Sequence, residues 1–172
     1  MIKYKLDFMS SFSVCGMETE LSRYQNANIN ICKDLWVRFN KVIYKYGLHQ
    51  LGNWKKYAFT YRDGNKYLYF CAIPEQLKVP KEFTVKRFPE QVYLACKHIG
   101  SVDTINNTVN EIYKNFLPAH NFVTQTDNFI HFEKYDIRYD NKSPNSIIDI
   151  YIPVERESAC KIINLYDDNN YI

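Results

Sequence analysis

Hydrophobic and polar positions along the chain follow two periods, and each change of period marks a new element. Residues 11–20 alternate as a strand does, whereas apolar positions at 28–46 recur every three or four residues and predict an amphipathic helix. We expect Asn28 or Asn30 to cap this helix and Gly47 to end it. Its apolar stripe contains Ile31, Leu35, Trp36, Phe39, Val42 and Ile43.

The order of elements then repeats. Tyrosine-rich strands at 57–61 and 66–73 are joined by a turn, Arg62-Asp63-Gly64-Asn65, of the type that connects hairpins. The pattern predicts an α+β fold of two strand-helix-strand-strand modules, and a polar tail follows. The second half contains strands at 83–88, 91–98, 129–135 and 147–154 and a helix from residue 102 or 103 to Phe116, which Pro118 ends.

The two predicted helices support a duplication. Residues 34–39 and 111–116 share the order acid, aliphatic, aromatic, two variable positions, aromatic. Such a short match also arises by chance, so pattern alone leaves both explanations open. We predict a single domain at 1–155, with modules at about 10–75 and 83–155 and the tail at 156–172.

Composition narrows the class of protein. Aromatic residues make up 16% of the chain, and a net charge of +3, evenly spread, argues against nucleic acid as a partner. The N-terminus lacks the long apolar run of a signal peptide, and the chain contains no membrane-length apolar stretch. We expect a cytoplasmic protein with free buried thiols and no direct contact with DNA or membrane. Its five cysteines are Cys15, Cys32, Cys71, Cys96 and Cys160.

Glu133 is the strongest candidate for chemistry. Alternation along its strand places Phe129, His131, Glu133 and Tyr135 on one face. A carboxyl group desolvated among rings has a raised pKa unless a cation neutralises it, and aromatic faces attract cations as well. The alternative is a solvated edge-strand glutamate paired with a lysine. His131 and Glu133 lack a third metal ligand, and we predict no metal and no cofactor.

The aromatic residues of the helices and strands are the second candidate group. Trp36 and Tyr113 carry polar atoms and suit a pocket better than Phe39, although core packing is the usual use of such a stripe. Tyr69, Tyr93 and Tyr151 each lie in a strand, where they either line a pocket or form cross-strand pairs on the surface.

Six short segments occur in a characteristic order between residues 10 and 155. They are FSVCGMET at 12–19, LWVRF at 35–39, VYLAC at 92–96, IYKNFLP at 112–118, FEKY at 132–135 and IYIPV at 150–154. Together they resemble the GyrI-like small-molecule-binding domain, the effector-binding domain of AraC- and MerR-type bacterial regulators.

The resemblance implies a pseudo-twofold fold with antiparallel sheets, two main helices and a central aromatic groove. The family's groove glutamate corresponds to Glu133, and its frequent tryptophan near the end of the second helix is Phe116 here. Fewer than ten residues precede the matching region, which favours a stand-alone protein over a transcription factor. The expected ligand-binding residues are Glu133, Trp36, Tyr69, Tyr93, Tyr113, Phe116 and Tyr151.

Three activities are compatible with this resemblance. The first is binding of lipophilic, cationic small molecules, with Glu133 neutralising the charge. The second is hydrolysis of cyclopropane-containing DNA-alkylating compounds, with Glu133 as the catalytic group. The third is an interaction with a protein partner such as gyrase, which needs no open pocket.

Overall fold

Eight strands form one antiparallel sheet in the computed structural model, which describes residues 2–50, 55–125 and 129–155. The strands are β1 (Tyr4–Met9), β2 (Phe12–Glu20), β3 (Lys56–Asp63), β4 (Lys66–Pro74), β5 (Thr84–Phe88), β6 (Gln91–Ile99), β7 (Phe129–Tyr135) and β8 (Ile147–Pro153). The helices are α1 (Gln25–Lys45), α2 (Ile105–Glu111) and α3 (Leu117–Ala119). The predicted tail, Cys160 and the side chain of Phe129 lie outside the described part of the chain.

The strand order is symmetric about the central β3–β7 pair. Outward from that pair, one half runs β3-β4-β2-β5 and the other runs β7-β8-β6-β1. The edge strands are exchanged, because β1 pairs with β6 of the second half and β5 pairs with β2 of the first. The arrangement confirms the predicted α+β fold with pseudo-twofold symmetry, although the strands join in a single sheet.

The edge strand β1 was not predicted from the sequence. Tyr4 and Leu6 alternate with Lys5, which is the expected strand signal, but Asp7 is half-buried and Phe8 is exposed. An edge strand pairs on one side only and tolerates such mixed burial, so its pattern is weaker than that of an interior strand.

The first helix begins earlier than predicted. It starts at Gln25, and Asn28 does not cap it, because the Asn28 side chain accepts a hydrogen bond from the Ser22 N–H at 2.7 Å. The predicted stripe is buried at Leu35, Phe39, Val42 and Ile43, which pack on the sheet. Gly47 has φ +67, the left-handed conformation that commonly ends a helix.

The second helical segment does not end at Pro118. A 3-10 turn capped by Ser101 leads into α2, and a π-helical turn at Ile112–Phe116 then joins α2 to α3. In that turn the Leu117 N–H donates to the carbonyl of Ile112. The wider turn comes directly before Pro118, so the proline ring avoids the carbonyl it would meet in a regular α-helix.

The sheet has an apolar layer on each face. Leu94, Cys71 and Ile150 pack with the helices, whereas their strand neighbours belong to a separate cluster on the opposite face. This opposite-face cluster is rich in aromatic residues and contains Tyr57, Phe59, Phe70, Tyr93, Phe132 and Tyr151. None of the helices in the described residues is long and apolar enough to cross a membrane.

Candidate functional site

A cavity of about 880 Å³ lies between α1 and α2, with the sheet as its floor. Such a volume is within the usual range for small-molecule sites. The central pair of strands, β3 and β7, contributes most of the floor, so the cavity lies where the two halves of the sheet meet. Side chains that line it include Ile29, Cys32, Trp36, Asn40, Lys56, Thr60, Tyr69, Ile105, Val109, His131, Glu133, Tyr135 and Tyr139.

Glu133 lies on this floor and is only 7% exposed. Its neighbours across the sheet are Ala58 on β3 and Ile150 on β8, and neither offers a hydrogen bond from its side chain. The Tyr135 hydroxyl donates to Glu133 Oε2 at 2.5 Å, the one hydrogen bond found for this carboxyl group among the described residues. Burial raises the pKa of Glu133 to about 7, and the bond from Tyr135 opposes that shift.

The groups around Glu133 stay protonated near neutral pH. Burial, reinforced by the carboxylate of Glu133, raises the pKa of Cys32 to about 12 and holds the pKa of Tyr69 and Tyr135 well above its ordinary value. Cys32 is therefore a neutral thiol at neutral pH and a poor nucleophile. The two phenols remain hydrogen-bond donors.

Trp36 is held in place at the wall of the cavity. Its indole Nε1 donates to the Tyr69 hydroxyl at 3.2 Å, and its ring meets Tyr135 edge-to-face at 5.3 Å. Phe39, which is also on α1, contacts Trp36 edge-to-face, with ring centroids 5.6 Å apart. Trp36, Tyr69 and Tyr135 therefore form a fixed aromatic group close to Glu133.

Two lysines contribute positive charge to the same cavity. The Lys56 amine, on the strand position paired with Tyr135, donates to Asn40 Oδ1 at 2.6 Å, and burial lowers its pKa. At the mouth, Lys33 of α1 and Asp103 form an ion pair at 3.4 Å between exposed side chains. Such a pair between exposed side chains contributes little stability.

The structure brings together only part of the predicted site. Glu133, Trp36 and Tyr69 line the cavity. Tyr93 and Tyr151 do not line it, since both lie in the opposite-face cluster, where their rings are 6.0 Å apart. Their strand neighbours, Leu94 and Ile150, occupy the helix side instead.

Tyr113 and Phe116 are also absent from the lining, because the π-helical turn lies past the last α2 residue that lines the cavity, Val109. The Tyr113 hydroxyl donates to the carbonyl of Ile130 at 3.0 Å. Phe116 stacks on His120, with centroids 4.1 Å apart. Both side chains are partly buried and pack against the core on the helix side of the sheet.

Sequence reasoning missed several lining residues. Thr60 and Lys56 lie on β3 beside β7, and only the strand register shows that they share the floor with Glu133. Tyr135 carried a usable signal, because alternation already placed it on the same face as Glu133. Cys32 lies one helical turn before Trp36 on α1, which was a signal for a shared helix face.

Comparison with known proteins identifies a family and a shared fold. The family model Cass2, described as integron-associated effector binding protein, matches residues 6–154. A search of curated proteins found no match. Several solved structures have the same fold as this chain, although their sequences are at most 18% identical to it.

Three of these structures are similar over nearly their whole length. SAV2435, solved bound to tetraphenylphosphonium, has a TM-score of 0.72 and 18% identity, covering 91% of this chain and 96% of its own. A transcription regulation protein from Staphylococcus aureus has a TM-score of 0.64 and 18% identity, covering 89% and 98%. An integron cassette protein from Vibrio cholerae has a TM-score of 0.60 and 17% identity, covering 88% and 95%.

Proposed function

The chain belongs to the Cass2 family of integron-associated effector-binding proteins, a GyrI-like family, and we propose that its effectors are lipophilic cations held over Glu133. Membership makes this a small-molecule-binding protein. The observation that carries the finer proposal is the position of Glu133, a carboxyl group buried on the floor of a cavity of about 880 Å³.

A cation relieves the electrostatic cost of ionising Glu133. Without a ligand, burial keeps the pKa of this group at about 7, so part of the population is protonated at neutral pH. A positive charge ~4 Å away contributes about 4 kcal/mol of attraction at the effective dielectric constant typical of protein sites. The pKa therefore falls on binding, and the site selects positive over neutral or negative molecules.

The lining of the cavity suits an apolar body around that charge. Trp36, Tyr69 and Tyr135 offer aromatic surface on one side, and Ile105 and Val109 of α2 offer aliphatic surface on the other. Apolar burial supplies about 25 cal/mol per Å² of buried area, and aromatic faces add cation–π attraction. Lys56 is engaged with Asn40, which directs its charge toward α1.

Two ions of matched size and opposite charge test this proposal. Isothermal titration calorimetry with tetraphenylphosphonium, the ion bound in the SAV2435 structure, is expected to show binding. Tetraphenylborate is expected to bind weakly or not at all. Replacing Glu133 by glutamine keeps the shape and is expected to lower the affinity for the cation at least about ten-fold, because the charge attraction is lost.

The control is Glu90→Gln, which makes the same charge change at an exposed position outside the cavity. This variant is expected to bind tetraphenylphosphonium as the original chain does. Equal binding by Glu133→Gln, or equal binding of the phosphonium and the borate, would show that Glu133 does not select the ligand.

One observation also favours a second candidate function, hydrolysis of a strained small molecule. A carboxyl group with a pKa of about 7, beside the Tyr135 hydroxyl, has the protonation behaviour of a general base that activates water near neutral pH. Mass spectrometry of a cyclopropane-containing alkylating compound incubated with the protein tests this. A hydrated, ring-opened product that forms with the original chain and not with Glu133→Gln would support catalysis.

A further inference from the structure

The cavity contains a second polar feature beside Glu133. In the strand register, His131 of β7 pairs with Thr60 of β3, and Thr60 pairs in turn with Tyr69 of β4. The three side chains therefore stand side by side across three adjacent strands, and all three line the cavity. We call this set the polar row. It lies two residues along β7 from Glu133, a spacing of roughly 6.5–7 Å.

The polar row has unused hydrogen-bonding capacity. His131 is 8% exposed, and its Nδ1 has no hydrogen-bond partner among the described residues. The Thr60 hydroxyl makes no hydrogen bond within the described part of the chain. The Tyr69 hydroxyl accepts the Trp36 N–H, and its own proton finds no acceptor there. Polar groups in a largely enclosed site are ordinarily satisfied, so this unused capacity in a cavity points to a ligand.

The side chains of the polar row can all donate a hydrogen bond. Burial lowers the pKa of His131 to about 4, so the ring is neutral and carries one proton. Since Nδ1 is buried without a partner, and a bare acceptor is tolerated better than an orphaned N–H, we assign the proton to Nε2, the other ring nitrogen of this cavity-lining side chain. The nearby Tyr113, whose ring is 6.1 Å from that of His131, donates its hydroxyl proton to the carbonyl of Ile130 and makes no hydrogen bond to His131 among the described residues.

We propose that the polar row binds a hydrogen-bond acceptor of the ligand, such as a carbonyl or ether oxygen, while Glu133 binds its positive charge. The preferred effector is then a lipophilic cation with a neutral oxygen acceptor roughly 6.5–7 Å from the charge, the spacing between the polar row and Glu133. This inference rests on the proposed function, because it assumes that Glu133 holds a cation.

A matched pair of probes tests the inference. Triphenylphosphonium with one para-acetylphenyl group places a carbonyl oxygen at a corresponding distance from phosphorus, and the para-isopropylphenyl analogue has the same shape without the acceptor. Calorimetry is expected to show three- to ten-fold tighter binding of the acetyl compound, roughly the effect of one neutral hydrogen bond. Equal affinity, or a preference for the isopropyl compound, would overturn the inference.

Variants of the polar row separate it from a general effect of the acetyl group. His131→Phe is expected to bring the affinity ratio of the two probes to one. Thermal unfolding should show no loss of stability, because the change removes an unpaired buried nitrogen. Thr60→Val, a nearly isosteric change, is a second variant and is expected to reduce the ratio. An unchanged ratio in either variant contradicts the assignment.

Failure of this inference and failure of the proposed function give different results. If tetraphenylphosphonium does not bind, or binds independently of Glu133, the proposed cation site is wrong, and the proposal for the polar row is refuted as well. If tetraphenylphosphonium binds in a Glu133-dependent way but the acetyl compound has no advantage, only the polar row is refuted.

Discussion

Replacing Glu133 by glutamine should make the protein more stable while it weakens ligand binding. Burial raises the pKa of Glu133 from the ordinary value of 4.5 to about 7, so ionising it costs more free energy in the folded than in the unfolded chain. This change in pKa corresponds to about 3 kcal/mol of unfolding free energy. Glutamine has the same shape, still accepts a hydrogen bond from Tyr135, and carries no charge.

The gain in stability depends on pH in a defined direction. Below pH 4.5 the carboxyl group is protonated in both states, and the two proteins should have similar free energies of unfolding. Between pH 4.5 and 7 the folded chain holds a proton that the unfolded chain has lost, so the stability of the original protein falls as pH rises. Above pH 7 the advantage of Glu133→Gln reaches its full value of about 2–3 kcal/mol.

Urea unfolding followed by circular dichroism at pH 5 and pH 8 measures this difference. The expected result is a small difference between the two proteins at pH 5 and a clear gain for Glu133→Gln at pH 8. Glu90→Gln, at an exposed position, should show no comparable gain. If Glu133→Gln is as stable as the original chain, or less stable, at pH 8, then the carboxyl group is not desolvated as the structure indicates.

The remaining predictions concern binding and packing. Because a cation binds the ionised form of Glu133, the affinity for tetraphenylphosphonium should fall about five-fold from pH 7 to 6 and about ten-fold more to pH 5, measured by calorimetry. Cys32→Phe should fill the cavity and abolish that binding while the chain stays folded by circular dichroism. Tyr93→Phe should leave the affinity within about two-fold, since Tyr93 lies on the opposite face of the sheet. Gly16→Ala should lower the unfolding temperature and cost at least about 1–3 kcal/mol, because a Cβ there would lie 1.9 Å from the Cys71 carbonyl oxygen.

Each of these has a contrary outcome. Constant affinity from pH 5 to pH 8 would mean that no group titrating near 7 faces the cation. Unimpaired binding by Cys32→Phe would place the ligand elsewhere, and a large loss of binding in Tyr93→Phe would assign the site to the opposite-face cluster. An undiminished unfolding temperature in Gly16→Ala would show that β2 shifts easily to admit a side chain.

Periodicity predicted most of the elements because local patterns carry that information. The stripe of α1, the turn at Gly64 and the strands on either side of it all follow from spacing, and all are present. The edge strand β1 was missed because its burial is mixed, and Pro118 was misread because a π-helical turn precedes it. The interaction with gyrase stays a prediction.

The sequence by itself determined which residues share a face of each strand, because alternation is a local property of extended backbone. It therefore grouped His131, Glu133 and Tyr135 correctly. Only the tertiary structure decided which face the helices cover, and so placed Tyr69 in the cavity and Tyr93 and Tyr151 outside it. The chemistry of Glu133 was also decided there, because its pKa depends on the apolar neighbours that strand register brings from distant parts of the chain.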